Sequence, residues 1–172
     1  IWAKPNPMPE SVTDRPTKAH EYVFLLAKSE RYFFDANAIK EKATHAGRVL
    51  DYTGEQKAND ADPTRQRTLP RGRKITVGDT RNARSVWSVP SQGYDGAHFA
   101  TMPPRLAERC ILAGSRIGTV VLDPFMGSGT TGLAAEALGR RWLGCELTEA
   151  YGSLIRQRTA QGGLPWPEEA AK

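Results

Sequence analysis

Two cysteines and three histidines in 172 residues leave little material for covalent or metal cross-linking. Cys110 and Cys145 are too few for a disulfide framework, and His20 and His45 have no partners at metal-ligand spacing, so no metal site is expected. Each cysteine sits inside an apolar pattern and reads as a buried free thiol in a reducing compartment. Long apolar runs are also missing. None approaches the roughly 20 residues that a membrane helix needs, and no charged-then-apolar leader is present. With 39% apolar residues the chain is long enough for one domain with a proper core, and a soluble cytoplasmic protein is the expectation.

What the chain does have is concentrated first in Val120 to Thr131, where the apolar run Val120-Val121-Leu122 passes through Asp123 into Pro124-Phe125-Met126-Gly127-Ser128-Gly129-Thr130-Thr131. Without a Cβ at Gly127 and Gly129 the backbone can take positive φ and approach a ligand closely. A helix starting near Thr130 adds free N–H groups and a positive dipole end. Gly127 to Gly132 also satisfies the G-x-G-x-x-G spacing of dinucleotide folds, with Glu146 nineteen residues beyond Gly127. That pattern alone leaves a nicotinamide-dependent dehydrogenase open. Asp123 tilts the reading, because a carboxylate at the strand end repels a diphosphate and accepts hydrogen bonds from a cationic or ammonium-bearing ligand such as S-adenosylmethionine.

At these residues the chain resembles a known family. Asp123 to Thr131 is similar to the cofactor motif of the DNA amino-methyltransferases that modify exocyclic amines. Ala97-His98-Phe99-Ala100-Thr101-Met102-Pro103-Pro104-Arg105-Leu106 resembles the helix-opening motif that caps the methionine end of the cofactor. Ile1 to Pro9 and His20 to Lys28 resemble the strands beside that family's target-base pocket, and the order is the permuted one in which the cofactor motif comes last. The resemblance implies an α/β, Rossmann-like S-adenosylmethionine-dependent methyltransferase sheet, partial here, with a loop-rich basic insertion. It implies S-adenosylmethionine as cofactor, held by His98, Phe99, Asp123, Phe125, Gly127, Gly129, Thr130 and Glu146. Phe125 would stack on adenine, and Glu146 would accept from both ribose hydroxyls.

The family's catalytic string, a polar residue followed by Pro-Pro and an aromatic, does not occur between Ile1 and Lys172. The expectation is therefore the C-terminal part of a methyltransferase, inactive alone, with no catalytic residue in this chain. Methyl transfer to adenine N6 is favoured over cytosine N4, and a catalytically silent cofactor- or DNA-binding module is the alternative. The resemblance also implies double-stranded DNA as partner in a prokaryotic or phage setting, with a homodimer and a cognate restriction nuclease left open.

Charge is the second concentration. Residues 37–90 hold eleven basic against six acidic side chains, an excess equal to the whole net charge of +5. The stretch lacks a sustained apolar period and carries Gly, Pro, Asn and Asp throughout, so an irregular or mobile insertion suited to phosphate contact is expected. Arg65, Arg67, Arg71, Arg73 and Lys74 are its candidate DNA contacts, as side chains that pair with base edges or phosphates. Asn6, on the proline-stiffened loop from Lys4 to Ala19, is a further candidate that the resemblance puts near a flipped base.

Four segments follow: a strand hairpin over 1–36, the basic recognition segment over 37–90, a cofactor-binding core over 91–160 and a frayed tail over 161–172. Strands are expected at Ile1 to Ala3, at Tyr22 to Ala27 with burial on both faces, at Thr119 to Leu122 and at Trp142 to Glu146. Helices are expected from about Pro103 to Ala113, capped by Thr101 and stopped by Gly114, from Thr130 to Leu138, and from Thr148 onward. Parallel pairing of the last two strands would put the glycine turn and Glu146 on one sheet edge. Trp2 and Trp87 read as packing residues.

Overall fold

A computed structural model describes residues 1–51, 73–91 and 102–160. His98, Phe99, Thr101, Arg65, Arg67, Arg71 and the tail 161–172 lie outside the described residues. The elements run β1 Trp2–Ala3, β2 His20–Glu21, β3 Glu41–Lys42, β4 Val49–Asp51, β5 Lys74–Thr76, β6 Thr80–Arg81, β7 Trp87–Ser88, α1 Pro104–Gly114, β8 Val120–Asp123, α2 Thr130–Ala137, β9 Arg141–Gly144 and α3 Glu149–Ala160. They divide into two units, one of Ile1–Ile39 with Arg84–Lys172 and one of Lys40–Ala83.

In the first unit β8 and β9 are parallel, joined through α2, with Val120 opposite Arg141 and Leu122 opposite Leu143. This is the strand–helix–strand order that the sequence predicts, and it gives the unit an α/β character. The small residues Ala134 and Ala135 let α2 lie close to the sheet, where they meet Ala107 and Ile111 of α1 and the side chains of Val121 and Trp142. Trp142 also donates from its indole nitrogen to Glu136 at 2.8 Å, so its one polar atom has a partner.

Helix α1 begins where Pro104 presets φ and lacks the N–H that the first turn cannot use. Its N-cap is Pro103, with no side-chain cap, and Gly114 is its last residue rather than a stop beyond it. The chain leaves the helix at Ser115, whose amide and hydroxyl both return to the Ile111 carbonyl. Arg140, which is buried, donates to the carbonyl of Ser115 at 2.9 Å and to that of Leu138 at 2.5 Å. One guanidinium thereby satisfies acceptors beyond the ends of both α1 and α2.

A separate three-stranded sheet has the order β2-β1-β7, with β1 antiparallel to β2 and parallel to β7. Trp2 is buried against Val89, Leu106 and Trp87, and its indole nitrogen donates to the Val89 carbonyl at 2.7 Å, so both tryptophans are packing residues. The loop from Lys4 to Ala19 contains no helix, as its prolines require.

Further expectations need correction. Tyr22 to Ala27 is not a buried strand: pairing with β1 stops at Glu21, and Phe24 and Leu26 are 77% and 88% exposed. An apolar run reports the affinity of a segment for cover, not the presence of that cover. Cys145 is exposed and only Cys110 is partly buried, because Cys145 follows the end of β9. Glu146 is likewise two residues past that strand rather than its last residue.

The second unit carries two short antiparallel ribbons where composition alone favours irregular backbone. In one, β3 pairs with β6 and Arg81 lies 3.5 Å from Glu41. In the other, β4 pairs with β5, Leu50 sits opposite Ile75, and Lys74 lies 3.2 Å from Asp51. No described helix is long and apolar enough to cross a membrane.

Candidate functional site

The turn between β8 and α2 is held from three sides. Backbone bonds close it: the Gly129 amide donates to the Met126 carbonyl at 3.0 Å within the turn, and the Met126 amide donates to the carbonyl of Cys145, just after β9, at 2.9 Å. Gly127 and Gly129 have φ of 53° and 85°, left-handed conformations that side-chain-bearing residues rarely adopt. A Cβ on Gly129 would in addition lie 3.4 Å from Ile155 of α3. From α3, Arg158 reaches the Ser128 carbonyl at 2.5 Å.

Glu146 provides the third hold. One carboxylate oxygen accepts from the Gly127 amide at 2.7 Å and the other from the Thr148 amide at 2.8 Å. Hydrogen bonds from Thr148 and then Gly127 keep the Glu146 carboxyl below its ordinary value, since they stabilise only the charged form. Each oxygen still has a lone pair to offer a hydroxyl. Asp123 sits at the same strand end, and its side chain accepts from the Phe125 amide at 2.9 Å. That bond turns the chain outward and leaves Phe125 87% exposed. No side chain caps α2, so its N-terminal amides and positive dipole end lie behind Gly129 and Thr130.

Asp123, Phe125, Gly127, Gly129, Thr130 and Glu146 are thus brought into one turn. The site also depends on residues that the sequence does not single out. Met126 is buried between two glycines: a Cβ on Gly132 would come within 2.8 Å of its methyl carbon, and one on Gly144 within 2.8 Å of its Cγ. The glycines of the helix and of the second strand therefore leave space for the Met126 side chain rather than for a ligand. Only the glycine spacing hints at this, as close helix–strand packing is one reason for a third glycine in such a motif.

Asn6 is used in the scaffold. Its side-chain nitrogen donates to the Ser91 carbonyl at 3.0 Å and its oxygen accepts from the Ser91 amide at 2.8 Å, a two-point clasp between the proline loop and the segment after β7. Beside the loop is a pocket of about 580 Å³ whose lining includes Lys4, Met8, Lys18, His20, Tyr22 and Phe24. Tyr22 stacks on Phe24 and meets His20 edge-on, so one wall is aromatic.

In the second unit Arg73 and Lys74 are exposed, and Lys74 shares its charge with Asp51. Burial pushes the Cys110 thiol up, away from the thiolate form. Among the described residues no group of three or more His, Cys, Asp or Glu is arranged to hold a metal ion.

The sequence profile of the DNA methylase family matches residues 1–157. The type II methyltransferase M.SmaI of Serratia marcescens is 43% identical over 158 residues, which are 92% of this chain and 44% of that enzyme. M.Cfr9I of Citrobacter freundii, also a type II methyltransferase, is 39% identical over 151 residues, 88% of this chain and 40% of its own length. The chain therefore spans less than half the length of these two relatives. Among solved structures, M1.HpyAVI in complex with SAM superposes with a TM-score of 0.51 over 91% of this chain and 58% of that one, at 22% identity, which shows a shared fold. By the extent of these matches, the chain belongs to the family of N6/N4 DNA methylases.

Proposed function

We propose that the chain is the cofactor-binding and DNA-contacting part of a site-specific DNA methyltransferase built on a Rossmann-like sheet. The reaction is transfer of a methyl group from S-adenosylmethionine to an exocyclic amine of a DNA base, adenine N6 first and cytosine N4 as the alternative. The observation that carries this reading is the pair of carboxylates, Asp123 and Glu146, flanking a glycine turn in which Glu146 is already bonded to the Gly127 amide. Two carboxylates repel a diphosphate but suit a ligand that presents hydroxyls and a cationic group, so the residues fit this cofactor. With the chain in the DNA methylase family, the nicotinamide reading is dropped.

When bound, the cofactor supplies an electrophilic methyl on a sulfonium. The residues of this chain bind and orient it. Glu146 accepts from the ribose hydroxyls through its remaining lone pairs. The exposed Phe125 ring stacks on adenine, and Asp123 faces the cationic end. Gly127, Gly129 and Thr130 let the backbone come close, while His98 and Phe99, outside the described residues, grip the carboxylate. Arg73 and Lys74, with Arg65, Arg67 and Arg71, contact duplex DNA, and Asn6 stiffens the rim of the aromatic-walled pocket near the target base. The type II names of the relatives support a restriction–modification setting.

Titration calorimetry of this chain with S-adenosylhomocysteine and with NADH tests the reading. Saturable binding of the first and none of the second is expected; the reverse would overturn it. Methyl transfer is expected only when a polypeptide carrying the polar-Pro-Pro-aromatic string is present. Tritiated cofactor, duplex DNA and nucleoside analysis of the product then separate adenine from cytosine.

A further inference from the structure

Helix α3 is fastened at both ends to the glycine turn and its carboxylate. Before its first residue, one Glu146 oxygen accepts from the Thr148 amide while the other accepts from the Gly127 amide, and the Tyr151 amide returns to the Thr148 carbonyl. Toward its end, Ile155 and Arg158 lie three residues apart and so share one helix face. Ile155 is buried where a Cβ on Gly129 would meet it at 3.4 Å, and Arg158 donates to the carbonyl of the buried Ser128 at 2.5 Å. The Ser128–Gly129 peptide is therefore held from two directions, its carbonyl by Arg158 and its N–H by the Met126 carbonyl at 3.0 Å. Glycine takes either sign of φ at little cost, so the φ of 85° at Gly129 has to be selected by such partners. Rotation of this peptide would break both bonds at once, and the bond from Arg158 is the charge-assisted one of the two.

We propose that Arg158 is a positioning residue for the cofactor turn, and that α3 couples binding of the S-adenosyl ligand at Gly127 and Glu146 to its own order. The inference rests on the reading of this turn as the cofactor site, and adds to it a residue and an element that the reading does not use. Arg158 acts through the Ser128 carbonyl. With that peptide fixed, the Gly129 carbonyl accepts from the Leu133 amide at 3.0 Å, so the first turn of α2 and its unbonded amides keep one direction relative to Glu146. Coupling of this kind is reciprocal: what the helix contributes to affinity, the ligand returns as order in the helix.

The test uses the 172-residue chain with S-adenosylhomocysteine as the probe. In calorimetry Arg158→Ala is expected to weaken binding by about tenfold or more, the effect of losing one charge-assisted hydrogen bond. Arg158→Lys keeps a charged donor without the planar fork and should fall between. Arg140→Ala strips a donor from Leu138 at the other end of α2, so it lowers stability and leaves the affinity of the folded chain unchanged; a merely structural role for Arg158 would make the two alanine variants alike. Hydrogen exchange supplies an arm without ligand: the Gly129 amide should exchange about tenfold faster in Arg158→Ala than in the wild type. With ligand, the α3 amides of the wild type should slow. Binding that Arg158→Ala leaves unchanged overturns the inference while the cofactor reading stands, and equal Gly129 exchange in the two proteins overturns it whether or not ligand binds. A wild-type chain that binds no S-adenosylhomocysteine overturns the cofactor reading and the coupling together. If circular dichroism shows Arg158→Ala unfolded, Arg158→Gln replaces it under the same criteria.

Discussion

The Glu146 carboxylate lies 2.7 Å from the Gly127 amide nitrogen although nineteen residues separate the two. The bond ties the segment after β9 to the turn after β8, so the two sheet-edge elements that would meet a nucleoside are held in one geometry. Preorganisation of this kind lowers the ordering cost of ligand binding.

Replacing Glu146 with alanine removes the tie and the acceptor together, and affinity for S-adenosylhomocysteine is expected to fall by about tenfold or more. Calorimetry giving an unchanged affinity would remove Glu146 from the site. The same carboxylate predicts a pH dependence. Its native value is depressed below 4.5, so its contribution to stability is present above the unfolded value and is lost as pH falls through the native one. Thermal melts from neutral pH to about pH 3 should show this acid-side loss, and Glu146→Gln should flatten that part of the profile.

Glycine to alanine inside a helix ordinarily stabilises by about 1 kcal/mol. Gly132→Ala is expected to do the opposite, because its Cβ would come within 2.8 Å of Met126 and 3.0 Å of the Trp142 ring. Overpacking of this kind costs about 1–3 kcal/mol. Gly144→Ala should destabilise more, since it meets Met126 at Cγ and Cβ, where the side chain has less freedom to move aside. Urea denaturation ranks the three proteins; an alanine variant at or above wild-type stability would show that Met126 does not fill that space.

Arg140→Ala strips donors from the carbonyls of Ser115 and Leu138. A loss of about 2–3 kcal/mol is expected for charge-assisted bonds at a buried group. Arg140→Lys should fall between the two, because one ammonium does not reproduce the planar fork. Equal denaturation midpoints for all three would show that water replaces the guanidinium there.

Phe125 is exposed, so Phe125→Ala should leave the melting temperature nearly unchanged, within about 0.5 kcal/mol of wild type. Binding of S-adenosylhomocysteine should weaken in the same protein. A large drop in melting temperature would instead mark the ring as a core residue.

The parts of the fold legible in the chain are those fixed by local chemistry. Val120 to Thr131 reads as strand, turn and helix because β-branched residues, two glycines and a helix-starting threonine act over neighbouring positions. Gly127 and Gly129 do have the positive φ that the turn requires. The Tyr22 to Ala27 run misled because burial is a property of what lies across from a segment. Met126 was invisible for a related reason: its contact with Gly132 and Gly144 exists only once α2 has settled on the sheet at a particular distance. Arg140 and Arg158 looked like two more cations in a basic chain until the fold brought carbonyl oxygens to them.

By itself, then, the order of residues determined the glycine turn and the parallel pair, which spacing along the chain specifies, and its motifs carried the resemblance to the family. Tertiary structure alone decided that Glu146 holds the turn by accepting from the Gly127 amide, that Asn6 is clasped to Ser91, and that Val120, Leu122 and Leu143 stay exposed. These are facts about which groups meet across the fold, and that depends on chain path and packing distance rather than on the identity of neighbours in sequence.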